Sequence, residues 1–208
     1  MFTNVKKSTV LMNITTQSKN KMNILKKYFS KLFNPTTLPR TLHVYADSSW
    51  KDGLATFSFV ELETKTFYVS NEFICQTSVV SECYGVYSVL HHAVKIAYTH
   101  GYTNIIVHTD LKNLERLTKK DNYIGKNKSS STYALFNNIS TFINIHDDID
   151  ITIQYTSHKK DQYMRLVDTI AYRKSQGMDV HSHKKDVFKE LHMWPIQTLV
   201  FETFEHDC

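Results

Sequence analysis

Cysteine is scarce in this 208-residue chain: Cys75, Cys83 and Cys208 form no C-x-x-C pair and no even-numbered framework. That excludes a disulfide-stapled secreted scaffold and points to a reducing, intracellular compartment. The cytoplasm is the first expectation, with the nucleus, an organelle or a virus-infected cell as alternatives. The Asn-x-Ser/Thr triplets at Asn13, Asn127 and Asn138 are then chance matches. No stretch approaches 18 consecutive apolar residues, and the N-terminal region lacks the compact apolar segment of a secretory signal. Neither integral membrane association nor export is expected. Internal repeats and strong low-complexity segments are also missing.

Acidic residues are absent from the first 40 positions, which hold seven Lys and one Arg. The remaining 168 residues carry 17 Lys plus Arg against 20 Asp plus Glu, so the net charge of +5 belongs to an N-terminal arm. An acid-free basic arm suits contact with a polyanion, because each Lys near a phosphate releases condensed counterions; a solvated tail is the plain alternative. The same composition also fits an organellar transit peptide, although Lys rather than Arg dominates.

With 41% apolar residues, 12 Phe and 12 Tyr, the chain can bury one sizeable core. Three segments follow: a basic arm over 1–40, a domain over 41–176 and an extension over 177–208. Within the arm, "MNILKKYFSKLF" (22–33) has the spacing of an amphipathic helix. In the extension, "WPIQTLVFETFEHDC" (194–208) is more apolar than a free tail. It is expected to dock on the domain as a strand or helix, with binding of a protein partner as the alternative.

From Thr41 the pattern is that of strands. "TLHVYAD", "GLATFSFVELE" and "KTFYVSNEF" read as an antiparallel meander, with Lys51-Asp52-Gly53 and Glu63-Thr64-Lys65 as turns. Residues 78–100 have helical spacing, Thr77 or Ser78 as a cap and Gly101 as a stop. "TNIIVHTD" (103–110) is an apolar strand suited to a sheet covered on both faces. A short helix carries Leu111, Leu114 and Leu117, and a basic loop spans 119–131. Helix 132–145, strand 150–156 and helix 162–175 complete an α/β pattern of five strands: three antiparallel, then two parallel, with helices on both faces.

Carboxylates recur at matching places in this pattern. Asp47 ends the first strand, Glu82 lies in the first turn of the long helix, Asp110 ends the apolar strand and Asp168 sits on the last helix. If the two strands are parallel neighbours, Asp47 and Asp110 emerge at one edge, where ligands of such sheets gather. Crowded carboxylates repel one another unless a cation compensates, and hard divalent ions such as Mg²⁺ prefer oxygen ligands. Two such ions roughly 3.5–4 Å apart can activate a water on one side of a phosphodiester and stabilise the leaving oxygen on the other. His91-His92 and the His-Ser-His at 181–183 have no further ligand at closed-site spacing, so they read as surface or packing residues.

Together "VYADSSWKDGLATFSF", "TSVVSECYGVYSVLHHAV", "IIVHTDLKNL" and "SHKKDQYMRLVDTIA" resemble type I ribonuclease H over about 41–176. The resemblance implies a ribonuclease H-like fold and a metal tetrad of Asp47, Glu82, Asp110 and Asp168, holding two Mg²⁺ ions for which Mn²⁺ could substitute. It also implies a catalytic His158 and a phosphate contact at Thr77; beside these, Ser48 and Lys112 are expected as substrate contacts. Its activity is endonucleolytic hydrolysis of the RNA strand of an RNA/DNA hybrid, recognised through the 2′-hydroxyls of its minor groove. Lys51, Lys119, Lys120, Lys126 and Lys128 are further candidates for backbone contacts, and a monomer is expected. Ser78 and Val79 replace the Asn pair that reads the minor groove in the family, and Lys112 replaces a common Gln. These departures keep open a nuclease of the same fold with another nucleic-acid substrate, or a non-cleaving binding module.

Overall fold

The computed structural model describes residues 39–118, 131–180 and, for the backbone, 200–204. The amphipathic stretch 22–33, the basic segment 119–130 and the His-Ser-His at 181–183 lie outside the described residues.

Strand β1 (Thr41–Lys51) runs antiparallel to β2 (Leu54–Glu61), which continues into β3 (Thr66–Ser70) and a two-residue β4 (Phe73–Ile74). Helix α1 (Ser78–His100) leads to β5 (Asn104–Thr109), and a 3₁₀ helix (Lys112–Thr118) follows. Helix α2 (Ser131–Ile145), β6 (Asp150–Tyr155), α3 (Gln162–Ser175) and β7 (Val200–Phe204) complete the chain. The sheet order is β6-β5-β1-β2-β3-β7, with β4 paired to the start of β2. β5 and β6 are parallel to β1 and to each other, as the sequence pattern anticipates. Two strands exceed the expected five: β4, and β7, which pairs in parallel with β3 from Thr66↔Val200 to Ser70↔Phe204.

Two boundaries differ from the sequence reading. Asp47 does not end β1: the strand continues four residues to Lys51, with Asp47 opposite Ser58. The cause is the turn, in which Asp52 (φ 51°) and Gly53 (φ 85°) both adopt left-handed backbone. Such a two-residue turn follows strand twist and lets pairing run to its edge. The third strand breaks after Ser70, and there the Ser70 hydroxyl accepts the Phe57 backbone N–H at 2.9 Å, replacing a lost ladder bond.

Apolar side chains cover both faces. One core gathers Leu42, Val44, Phe57, Phe59, Val86, Leu90, Ile105 and Ile139 beneath α1 and α2. The other places Tyr45, Val60, Phe67, Met164, Val167 and Ile170 beneath α3. At Gly85 the long helix comes so close to β2 that an added Cβ would lie 3.1 Å from Phe57 Cβ. His92 Nε2 pairs with the fully buried Glu61 at 2.9 Å, and His91 packs on Tyr87 and Phe142. His91 is thus a packing residue, while His92 both partners a buried carboxylate and packs on Phe59 and Tyr68. Among the described residues no helix is long and apolar enough to cross a membrane.

Candidate metal centre

Three elements converge at one end of the sheet. The β1/β5 register pairs Tyr45 with His108, and carried two residues further it sets Asp47 beside Asp110. Thr77 caps α1 by accepting the Val80 N–H at 3.2 Å, which fixes where the helix begins. Glu82 is therefore the fifth helical residue and lies in the second turn, one turn later than the sequence suggested. Asp47, Glu82 and Asp110 each present a carboxylate oxygen, and these atoms lie within 4.8 Å of one another.

Asp168 stands outside this group of three, half-buried on α3. Its helix is positioned by Asp161, whose carboxylate accepts the N–H groups of Tyr163 (2.8 Å) and Met164 (3.0 Å). Asp168 nevertheless acts on the cluster through its charge. Burial, followed by the charges of Asp110 and Asp168, pushes the Asp47 carboxyl up to about 8. Burial, then Asp47 and Asp110, raises Glu82 well above the usual carboxylate range. Asp168 itself is raised by burial and by Asp110, while His158 opposes the shift.

A cluster that drives its own acids toward protonation suits a cation, which would reverse each of these shifts. The donor set is all oxygen, the chemistry of a hard divalent ion. Asp47 is the most enclosed of the acids, at 5% exposure.

Ser48 ties two of the acids together. Its backbone N–H donates to Asp47 Oδ1 at 2.7 Å, its hydroxyl bonds to Glu82, and Ser81 donates a hydroxyl hydrogen bond to Ser48 Oγ. The Ser48 hydroxyl is thus directed at the acids. Ser81, fully buried, escaped the sequence reading because an inward-facing Ser next to an acid carries no spacing signal.

His158 Nδ1 lies 3.4 Å from Asp110 Oδ2, with 41% of its side chain exposed. Lys112 is exposed at the start of the 3₁₀ helix, two residues beyond Asp110. Lys51 turns elsewhere, donating to Gln176 Oε1 at 2.9 Å. Of the predicted residues, the fold thus brings Asp47, Glu82, Asp110, Ser48 and His158 into one locus. Lys119, Lys120, Lys126 and Lys128 fall outside the described residues.

No protein-family model and no curated protein matches the chain. Solved structures do. An RNase H1 isolated from compost by a metagenomic approach is similar with a TM-score of 0.52 at 14% identity, covering 66% of this chain and 99% of that one. The same protein in complex with an RNA/DNA hybrid scores 0.49 at 14% identity, over 65% of this chain and 99% of that one. RNase H1 from the halophilic archaeon Halobacterium salinarum scores 0.49 at 11% identity, over 64% of this chain and 98% of that one. The first of these matches establishes the architecture: the fold is ribonuclease H-like.

Proposed function

We propose that this chain is a divalent-metal-dependent endoribonuclease that hydrolyses the RNA strand of RNA/DNA hybrids, leaving 3′-hydroxyl and 5′-phosphate ends. The observation that carries the reading is the meeting of Asp47, Glu82 and Asp110 at one end of the β1/β5 pair within 4.8 Å. Isolated acids cap helices or face solvent. Here burial and the neighbouring carboxylates raise the proton affinity of Asp47 and Glu82, a cost that a bound cation would offset.

In this reading Asp47, Glu82 and Asp110 would hold one Mg²⁺ ion, and Asp47 with Asp168 would hold a second. Bound there, the ions would neutralise charge at a phosphodiester and make water a better nucleophile near neutral pH. The protein's own groups supply orientation and proton handling. Ser48, through its N–H on Asp47 and its hydroxyl on Glu82, keeps two ligands aimed at one point. His158, with Nδ1 3.4 Å from Asp110 Oδ2 and a partly exposed side chain, stands between the acids and solvent, a placement suited to carrying a proton away. Lys112 and Thr77 would steady the phosphates flanking the cut, and the 2′-hydroxyls of the minor groove would mark the strand as RNA.

The test is cleavage of an end-labelled RNA/DNA hybrid beside matched single-stranded RNA, double-stranded RNA and double-stranded DNA, in Mg²⁺ or Mn²⁺. Hybrid cutting that disappears in Asp110→Asn is the expected result. Cutting of a different nucleic acid with the same Asp110 dependence would reassign the substrate, to which Val79, 39% exposed in place of the family's Asn, would then be relevant. Ion binding without cleavage of any of the four would make the protein a binding module.

A further inference from the structure

Asp168 is the one acid of the four carried by α3, the others coming from β1, α1 and the end of β5, and its place must be set by whatever holds α3 on the sheet. One face of the β1–β2 hairpin does so with polar groups. Thr56 Oγ1 donates to the Ala171 carbonyl at 2.8 Å, and Ser58 Oγ donates to the Val167 carbonyl at 2.6 Å. Beyond them Ser49 Oγ meets Ser175 Oγ at 2.9 Å and Lys51 Nζ meets Gln176 Oε1 at 2.9 Å. Thr56 and Ser58 are both fully buried.

The spacing is what makes this a ruler. Two residues along a strand advance about 6.8 Å, and four along a helix advance about 6 Å. Thr56 and Ser58 therefore match Ala171 and Val167 step for step, with the helix running against the strand. Each carbonyl can accept through its second lone pair while still serving its own helix. Sliding α3 by one residue would break both bonds and leave two buried hydroxyls without acceptors. Burial alone does not demand hydroxyls here, because Met164, Val167 and Ile170 pack the same helix with apolar atoms.

The ladder also leads directly to the acids. Ser58 is the cross-strand partner of Asp47, and the carbonyl it holds belongs to Val167, the residue before Asp168. Asp47 and Asp168 are thereby linked through one strand pair and one hydrogen bond. We propose that Thr56 and Ser58 are positioning residues that set the axial place of Asp168 against Asp47, and with it the affinity of the ion Asp168 would hold. The proposal rests on the reading of Asp168 as a metal ligand.

Mn²⁺ titration of the full chain by calorimetry, without nucleic acid, tests it beside thermal unfolding. The variants are Ser58→Ala alone, Thr56→Val with Ser58→Ala, Thr56→Ser as the conservative control, and Asp168→Asn as reference. Loss of a group that orients a ligand weakens metal binding by about tenfold or more. A loss of about that size is expected in the weaker binding event, the one that Asp168→Asn abolishes. The tighter event should hold its affinity, and Thr56→Ser should match the native chain. In hybrid cleavage the Mg²⁺ concentration for half-maximal rate should rise in parallel with no change in the KM for hybrid.

If the Asp168-dependent ion is present and both hydroxyl-deleted variants bind it normally, even with a lowered melting temperature, the ladder is only structural and the proposal fails. If the native chain shows no ion sensitive to Asp168→Asn, the metal-ligand reading of Asp168 fails and takes the proposal with it. Failure to cleave hybrid would bear on the substrate and leave the Mn²⁺ result standing.

Discussion

Replacing Asp47 by Asn should stabilise the metal-free protein at pH 8, even though it removes the central residue of the candidate site. Its carboxyl is moved from 3.8 to about 8, chiefly by burial and then by Asp110 and Asp168. The folded state thus holds a proton that the unfolded state has released, so stability falls as pH rises from about 4 to about 8. Four units at about 1.4 kcal/mol each give a ceiling of roughly 5–6 kcal/mol. In the variant Glu82 stays buried beside Asp110 and keeps part of its own raised proton affinity, which leaves about 2–3 kcal/mol to be recovered at pH 8. Asn retains an Oδ1 to accept the Ser48 N–H. For a chain of this size the gain corresponds to about 5–10 °C in Tm. Thermal unfolding in chelator, from pH 5 to 8.5, should show a falling Tm for the native chain and a flatter profile for Asp47→Asn. Added Mn²⁺ should raise the native Tm far more than that of the variant. A native Tm that rises with pH in chelator, or an Asp47→Asn protein less stable than the native one at pH 8, would refute the reasoning.

Two further outcomes test separate features. His158→Ala should lower the turnover of hybrid by about 100-fold or more while leaving Mn²⁺ affinity in calorimetry close to native, because His158 touches Asp110 without joining the three-acid group. Gly85→Val should destabilise by about 1–3 kcal/mol in denaturant unfolding, since even a Cβ there meets Phe57 Cβ at 3.1 Å and α1 would have to lift from β2.

Most of the element pattern was legible because it is written locally. The long helix announces itself through Val86, Leu90, Ala93, Val94 and Ala97 on one face, a capping Thr77 and a stop at Gly101. Strand β5 does so through Ile105 and Val107, both fully buried. The sheet's extra strands were harder to see. β4 is two residues long, below any period, whereas β7 lies in the apolar tail expected to dock as a strand or helix, and only its partner β3, far away in sequence, was not legible. The length of β1 was misread because Ser48, Ser49 and Lys51 look like turn residues. Their polarity instead answers Ser81, Ser175 and Gln176, partners that only the folded chain supplies.

The same division explains the candidate site. Asp47 and Asp110 could be paired from sequence because two parallel strands of matched phase bring together the residues just past their paired stretch, whatever the loops do. Glu82 followed from helix phase, with an error of one turn that left its direction intact. Asp168 was legible as an acid on the last helix, but its distance from the others depends on how α3 seats on the hairpin. That seating rests on Thr56 and Ser58, two hydroxyl residues in a strand where alternation predicts only which face they occupy. Type and face are local properties of a sequence, whereas the axial register between a helix and a sheet is a property of pairs. The proposed addition of Asp168 to the three clustered acids therefore depends on one coordinate that no single segment encodes, the one between Ser58 and Val167.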